Sequence, residues 1–273
     1  MLSIDSELVE AVAAVAAAAA PTPPVVGDWK TRRATIDAFY SGLAAAGESD
    51  DHVEIVDFTA PSRDGHAVPL RLYKPSSLPN ALIVHIHGGG LIAGSLDGYD
   101  HVCRRYTAEA GVAMIAVDYR LAPESPFPAA LEDCVAAVQW AIDHAAQRLP
   151  GAPVAVMGDS AGGGLAAATA LVCRDRGIGA LSAQILIYPM LDDRTTTADP
   201  AVEPLLAWSA ADNITGWRRT SAIGTAPRTC RLRRRLPALI RYMICRQPIS
   251  RSVSWTCSVP RQSPTPTGSS TTT

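Results

Sequence analysis

A serine sits between glycines in Gly158-Asp159-Ser160-Ala161-Gly162, with the apolar run Val154–Met157 before it and the Ala-rich stretch Leu165–Cys173 after it. Apolar run, glycines and helix-forming run in that order predict a strand, a sharp turn and a helix. Such a turn forces the serine into strained backbone above the end of a sheet, with a helix N-terminus beneath its hydroxyl. A serine hydroxyl is a weak nucleophile until a base takes its proton. Acyl transfer would therefore need three companions elsewhere in the chain: amides for a developing oxyanion, a histidine and a carboxylate.

His85-Ile86-His87-Gly88-Gly89-Gly90 supplies the first of these. It follows the short apolar run Ala81–Ile86, which reads as a buried strand. Glycines at that point let backbone N–H groups face a ligand, so Gly88 and Gly89, together with the N–H of Ala161, are the expected oxyanion donors. The bland alternative is a glycine-rich turn without a role. A nucleotide loop would need GxGxxG, or a Lys-Ser/Thr pair closing a P-loop, and this turn has neither. His85 and His87 sit on the oxyanion-loop side of the sheet, which argues against either as the base. His52, His66, His101 and His144 read as surface or core residues.

Between these two motifs stands Asp118-Tyr119-Arg120-Leu121-Ala122-Pro123-Glu124-Ser125-Pro126-Phe127-Pro128-Ala129-Ala130. With HGGG before it and GDSAGG after it, the order and spacing resemble the hormone-sensitive-lipase family of α/β-hydrolases over roughly Asp51–Trp217. The resemblance implies hydrolysis of a small-molecule acyl ester through an acyl-enzyme. Ser160 would be the nucleophile and Gly88, Gly89 and Ala161 the oxyanion hole, with His87, Gly90, Gly158, Asp159 and Gly162 supporting the motifs. It implies no cofactor and no metal. The fold implied is the α/β-hydrolase fold, an α/β architecture whose mostly parallel sheet is flanked by helices. An N-terminal helical cap over residues 1–48 would be completed by Pro200–Gly216. Asp118, Arg120 and Glu124 would form a salt network behind the site.

The pattern breaks toward the C-terminus. In this family the triad runs Ser, Asp, His along the chain. No histidine follows His144, and no acidic residue follows Asp212. Asp192, Asp193, Asp199, Glu203 and Asp212 fall in the cap-like stretch. The last two strands of the sheet are not recognisable, and the best remaining element is a short helix at Leu236–Cys245. Strand six, Gln184–Tyr188, would then be an open apolar edge. The expectation is an impaired esterase. A ligand-binding member of the fold without a catalytic histidine is the alternative.

Charge marks the same place. Residues 1–216 carry all 26 acidic residues against 13 basic ones, net −13, whereas residues 217–273 carry 11 arginines and no acid, net +11. A basic arm for nucleic acid or anionic lipid is one reading of that tail. A reading-frame change near Arg218 in a GC-rich gene is the preferred one, and no nucleic-acid partner is expected. The chain thus divides into a cap segment (1–48), an incomplete hydrolase core (49–217) and a basic, disordered tail (218–273).

At 273 residues there is length for one sizeable core. Six cysteines show no CxxC pair and no zinc spacing; Cys103, Cys134 and Cys173 read as buried thiols in a reducing compartment. Ala11–Ala20 is flanked by Asp5, Glu7 and Glu10, the wrong sign for a signal peptide, and is too short to span a bilayer. A cytoplasmic protein without stable membrane insertion is expected, with a homodimer left open. Helices are predicted at Trp29–Ala45, Val102–Ala110 and Leu131–Gln147. Further strands are predicted at His52–Thr59, Ala67–Tyr73 and Val112–Asp118. Their alternation implies a parallel sheet with right-handed crossovers.

Overall fold

A computed structural model describes residues 24–46, 52–179, 181–197, 199–200, 202–203 and 206–220. The elements in chain order are α1 (Trp29–Ala46), β1 (Glu54–Pro61), β2 (Ala67–Lys74), β3 (Leu82–Ile86), α2 (Leu96–Ala110), β4 (Ala113–Val117), α3 (Ala129–Arg148), β5 (Val154–Asp159), α4 (Ala161–Arg176), β6 (Ala183–Ile187) and α5 (Ala210–Thr220). The helices expected before residue 24 and at Leu236–Cys245 lie outside the described residues.

The six described strands form one sheet in the order β1-β2-β4-β3-β5-β6. β1 and β2 are a hairpin closed at Ser62–His66, and β2 runs antiparallel to β4. β4, β3, β5 and β6 are mutually parallel. Side-chain alternation sorts the strands into two faces. Leu82, Val84, Ile86, Ile115, Val117, Val154 and Val156 join α3 and α4 in the main core. Met114, Ala116 and Met157 point the other way, onto Cys103 and Tyr106 of α2. Because both faces of the central strands are covered, those strands read as unbroken apolar runs.

α2 starts six residues before its predicted start. Ser95 caps it, its Oγ accepting the Gly98 N–H at 3.2 Å. Gly98 hid this turn in the sequence, since a glycine argues against a helix interior. Its reason is packing: a β-carbon there would lie 3.1 Å from Cβ of Tyr40 on α1.

Two arginines fasten α1. Arg32 is buried and donates to Asp212 at 2.5 Å and to the carbonyls of Pro24, Val25 and Asp28. Arg33 bonds the Ile92 and Ala122 carbonyls and pairs bidentately with Glu124 at 2.8 Å. The salt network expected of Asp118, Arg120 and Glu124 is therefore not one network. Arg120 pairs with Asp133 and Asp64, Glu124 belongs to Arg33, and Asp118 accepts from the Leu96 backbone. The reason is that α1 packs beside Glu124 and brings its own guanidinium.

α5 continues three residues beyond the predicted core boundary at 217. Arg219 donates to the Gly27 carbonyl at 2.8 Å, and the Thr220 carbonyl accepts the Phe127 N–H at 2.9 Å. Trp217 is buried in the main core. Cys103, Cys134 and Cys173 are buried and unbridged, as the sequence implied. Among the described residues no helix is long and apolar enough to cross a membrane.

Candidate active site

β5 ends at Asp159, α4 begins at Ala161, and Ser160 turns the chain between them with φ 52 and ψ −118. That conformation is unfavourable for a residue with a β-carbon. The surroundings hold it there. The Ser160 N–H donates to the Ile187 carbonyl at 2.9 Å, and its own carbonyl accepts from Met190 at 2.7 Å and from Gly164 at 3.1 Å. The Ala161 amide is the first of the helix and has no carbonyl one turn back, so it points out of the helix end.

The glycine turn lies directly against this elbow. A β-carbon on Gly162 would sit 2.6 Å from the Ile86 carbonyl carbon and 2.5 Å from the His87 carbonyl oxygen. One on Gly88 would sit 2.7 Å from Oδ2 of Asp159. Only hydrogen fits at either place, which explains two of the motif glycines. Gly89, at φ 116, bends the chain so that its carbonyl accepts the N–H groups of Ile92 and Ala93. Gly90 is roofed by the indole of Trp208, and α1 lies over the same loop, with Gly94 donating to Asp37 at 3.1 Å. No motif marks Trp208 or Asp37 for this role in the sequence.

The Gly88 amide departs from expectation. It donates to the Tyr99 hydroxyl at 3.0 Å and is thus engaged inside the protein. The Gly88 carbonyl is held by Nδ1 of His87 at 2.7 Å. In a trans peptide the following N–H points opposite to that carbonyl, so His87 sets the direction of the Gly89 N–H. His87 is itself stacked on Tyr119, with centroids 4.3 Å apart, and Tyr119 donates to the His87 carbonyl at 2.9 Å.

Behind the elbow is a buried polar chain. Oδ2 of Asp159 accepts from Tyr99 at 2.7 Å, and Oδ1 faces Nε2 of His85 at 3.6 Å, beyond hydrogen-bond reach. Nδ1 of His85 meets the Cys103 thiol at 3.7 Å. Burial, aided by the neighbouring His87, pushes the His85 pKa down to about 3. Burial likewise pushes His87 down to about 4, against the opposing pull of its bond to Gly88. Burial pushes the Asp159 carboxyl up, with the Tyr99 donor working against it. His85 is therefore neutral, and its approach to Asp159 is a polar contact, not an ion pair. Its two ring nitrogens face the Cys103 thiol and the Asp159 carboxylate.

Among the described residues no side chain hydrogen-bonds the Ser160 hydroxyl. Of the acidic residues in the cap-like stretch, Asp212 is committed to Arg32 and Ser209, and Asp192 to Arg194. Among the described residues no group of three or more His, Cys, Asp or Glu is arranged to hold a metal ion.

A sheet of this order, with a strained serine between a parallel strand and a helix, is the α/β-hydrolase arrangement. Residues 83–234 match the family described as alpha/beta hydrolase fold, and the chain belongs to that family. The match runs past the change of composition at Arg218. An ethyl acetate hydrolase from Pseudomonas putida is 40% identical over 163 residues, 56% of this chain and 50% of that protein. The hormone-sensitive lipase of Bos taurus is 36% identical over 145 residues, 52% of this chain and 19% of that one. A hyperthermophilic esterase from the archaeon Pyrobaculum calidifontis superposes with a TM-score of 0.68 at 33% identity, covering 81% of this chain and 72% of that one. The chain spans half or less of the length of these curated relatives.

Proposed function

We propose that the chain is a carboxylic ester hydrolase with Ser160 as nucleophile, working through an acyl-enzyme on short- to medium-chain acyl esters, and impaired as it stands. The observation that carries this is the seating of Gly162 on the Ile86–His87 backbone, which puts the serine elbow and the glycine turn at one end of the sheet. Relatives named as an ethyl acetate hydrolase and as esterases support the same reaction class.

The oxyanion donors are assigned with one change from the sequence reading. Gly88 is spent on Tyr99, and Gly90, which the sequence reading took only as motif support, replaces it beside Gly89 and Ala161. α1 and the segment around Trp208 serve as the cap, and residues 49–217 as the hydrolase core.

Impairment follows from the missing base. Both buried histidines of the HGGG strand are engaged with other groups, and no histidine stands after His144. An oxyanion site and a bound ester still give some rate over water without a triad base, at a loss of several orders of magnitude. The full chain should therefore hydrolyse p-nitrophenyl acetate slowly but faster than its Ser160→Ala variant. Equal rates for the two would remove the reading.

The second reading, a binding protein of the same fold, draws on the Ser160 hydroxyl having no hydrogen-bond partner among the described residues. It predicts tight binding of an ester or acid without turnover.

A further inference from the structure

We propose that Tyr99 is a positioning residue: through its one hydroxyl it ties the glycine turn, the serine elbow and helix α1 into a single unit. The proposal rests in part on the ester-hydrolase reading above.

Tyr99 lies on α2 and is buried. Its oxygen is 3.0 Å from the Gly88 amide, 2.7 Å from Oδ2 of Asp159 and 2.7 Å from the Tyr40 hydroxyl. A phenol has one proton to give and two lone pairs to receive. With its proton on the carboxylate, it accepts from Gly88 and from Tyr40, and its capacity is filled. The three partners come from three places. Gly88 begins the glycine turn, Asp159 is the residue before Ser160, and Tyr40 belongs to α1.

The geometry makes this more than packing. Tyr99 holds the N–H of the His87–Gly88 peptide, and His87 holds the carbonyl of the Gly88–Gly89 peptide. Two consecutive peptide planes are thus fixed by side chains immediately before the Gly89 amide. Removing the Tyr99 hydroxyl loosens the first plane and takes from a buried carboxylate its side-chain donor, leaving it the backbone N–H groups of Asp159 and Gly88, a change felt one residue from the nucleophile. The Tyr40 ring packs tilted against Tyr99 with centroids 4.7 Å apart, so the seating of α1 is coupled to the same oxygen.

The test is Tyr99→Phe in the full chain, which keeps the ring and removes the hydroxyl. Two readouts are taken: kcat and KM for p-nitrophenyl acetate against the Ser160→Ala floor, and amide hydrogen exchange followed by mass spectrometry. The expected result is a kcat lower by about tenfold with KM unchanged, the loss typical of one hydrogen bond to a charged group. Exchange should quicken in peptides spanning Ile86–Gly94 and Met157–Gly164, while peptides of β1 and β2 keep their rates.

An unchanged kcat together with unchanged exchange in the glycine turn would overturn the proposal. If wild type is no faster than Ser160→Ala, the ester-hydrolase reading fails and the exchange data alone decide the tie. Should Tyr99→Phe not fold, Tyr40→Phe carries the test, since it leaves the Gly88 and Asp159 contacts in place. Faster exchange in α1 and the glycine turn together then supports the proposal, and an unaffected turn contradicts it.

Discussion

The Ser160 amide donates to the Ile187 carbonyl at 2.9 Å, so the last described strand, β6, clamps a residue held in strained backbone. The strain is maintained by the fold, at the position proposed as the nucleophile. Ser160→Gly should relieve about 1–3 kcal/mol of backbone strain and return ~1 kcal/mol through the greater freedom of the unfolded chain. The expected net is a rise in the urea midpoint, with Ser160→Ala showing none. A Ser160→Gly protein less stable than Ser160→Ala would mean the conformation is not strained.

Gly162 offers the complementary experiment. A methyl group there would drive the elbow away from the Ile86–His87 backbone, because the contact is with main chain that cannot rotate aside. Gly162→Ala should cost about 1–3 kcal/mol as overpacking and reduce ester hydrolysis to the Ser160→Ala floor. A stable, equally active Gly162→Ala chain would show that the two motifs need not touch.

Acid should weaken the fold in a defined window. His85 and His87 are held neutral with pKa values of about 3 and 4, against 6.5 for an unfolded histidine. Between those limits the unfolded chain binds more protons, so stability is fully present above pH 6.5 and is lost as pH falls toward 4. Each histidine contributes a slope of about 1.4 kcal/mol per pH unit in that range. His101 and His144, partly buried, are shifted in the same direction. Asp159, shifted up, binds its proton early in the folded state and offsets part of this. Urea midpoints at pH 7 and pH 5 should differ clearly, and equal midpoints would contradict the burial of neutral histidines.

Association is expected through the sheet edge. Among the described residues β6 is the terminal strand, it carries no charge, and Ile185 is 39% exposed. Unprotected apolar edges pair with other chains. Ile185→Lys should reduce self-association of the full chain in sedimentation velocity, and a wild type that stays monomeric at all concentrations would contradict the edge.

Much of this architecture was legible from residue order. β3, β4 and the start of β5 were legible because both faces of the sheet are covered, so each is an apolar run broken only by His85 in β3. The elbow and the glycine turn announced themselves through glycines whose missing β-carbons the packing requires. What stayed hidden depends on partners distant in sequence. Nothing in the chain connects Tyr99 with Gly88 or Arg32 with Asp212, and the use of the Gly88 amide was therefore misassigned. The start of α2, Leu96–His101, was hidden for a local reason, a helix interior containing glycine where α1 crosses closely.

The most direct measurement is intact and peptide mass spectrometry of the full chain quenched during exposure to p-nitrophenyl acetate. The account predicts a long-lived acetyl group on Ser160, as the proposed impairment requires, and none on Ser160→Ala. Acetyl groups found only on other residues, or rapid turnover with no acyl-serine at that position, would contradict it.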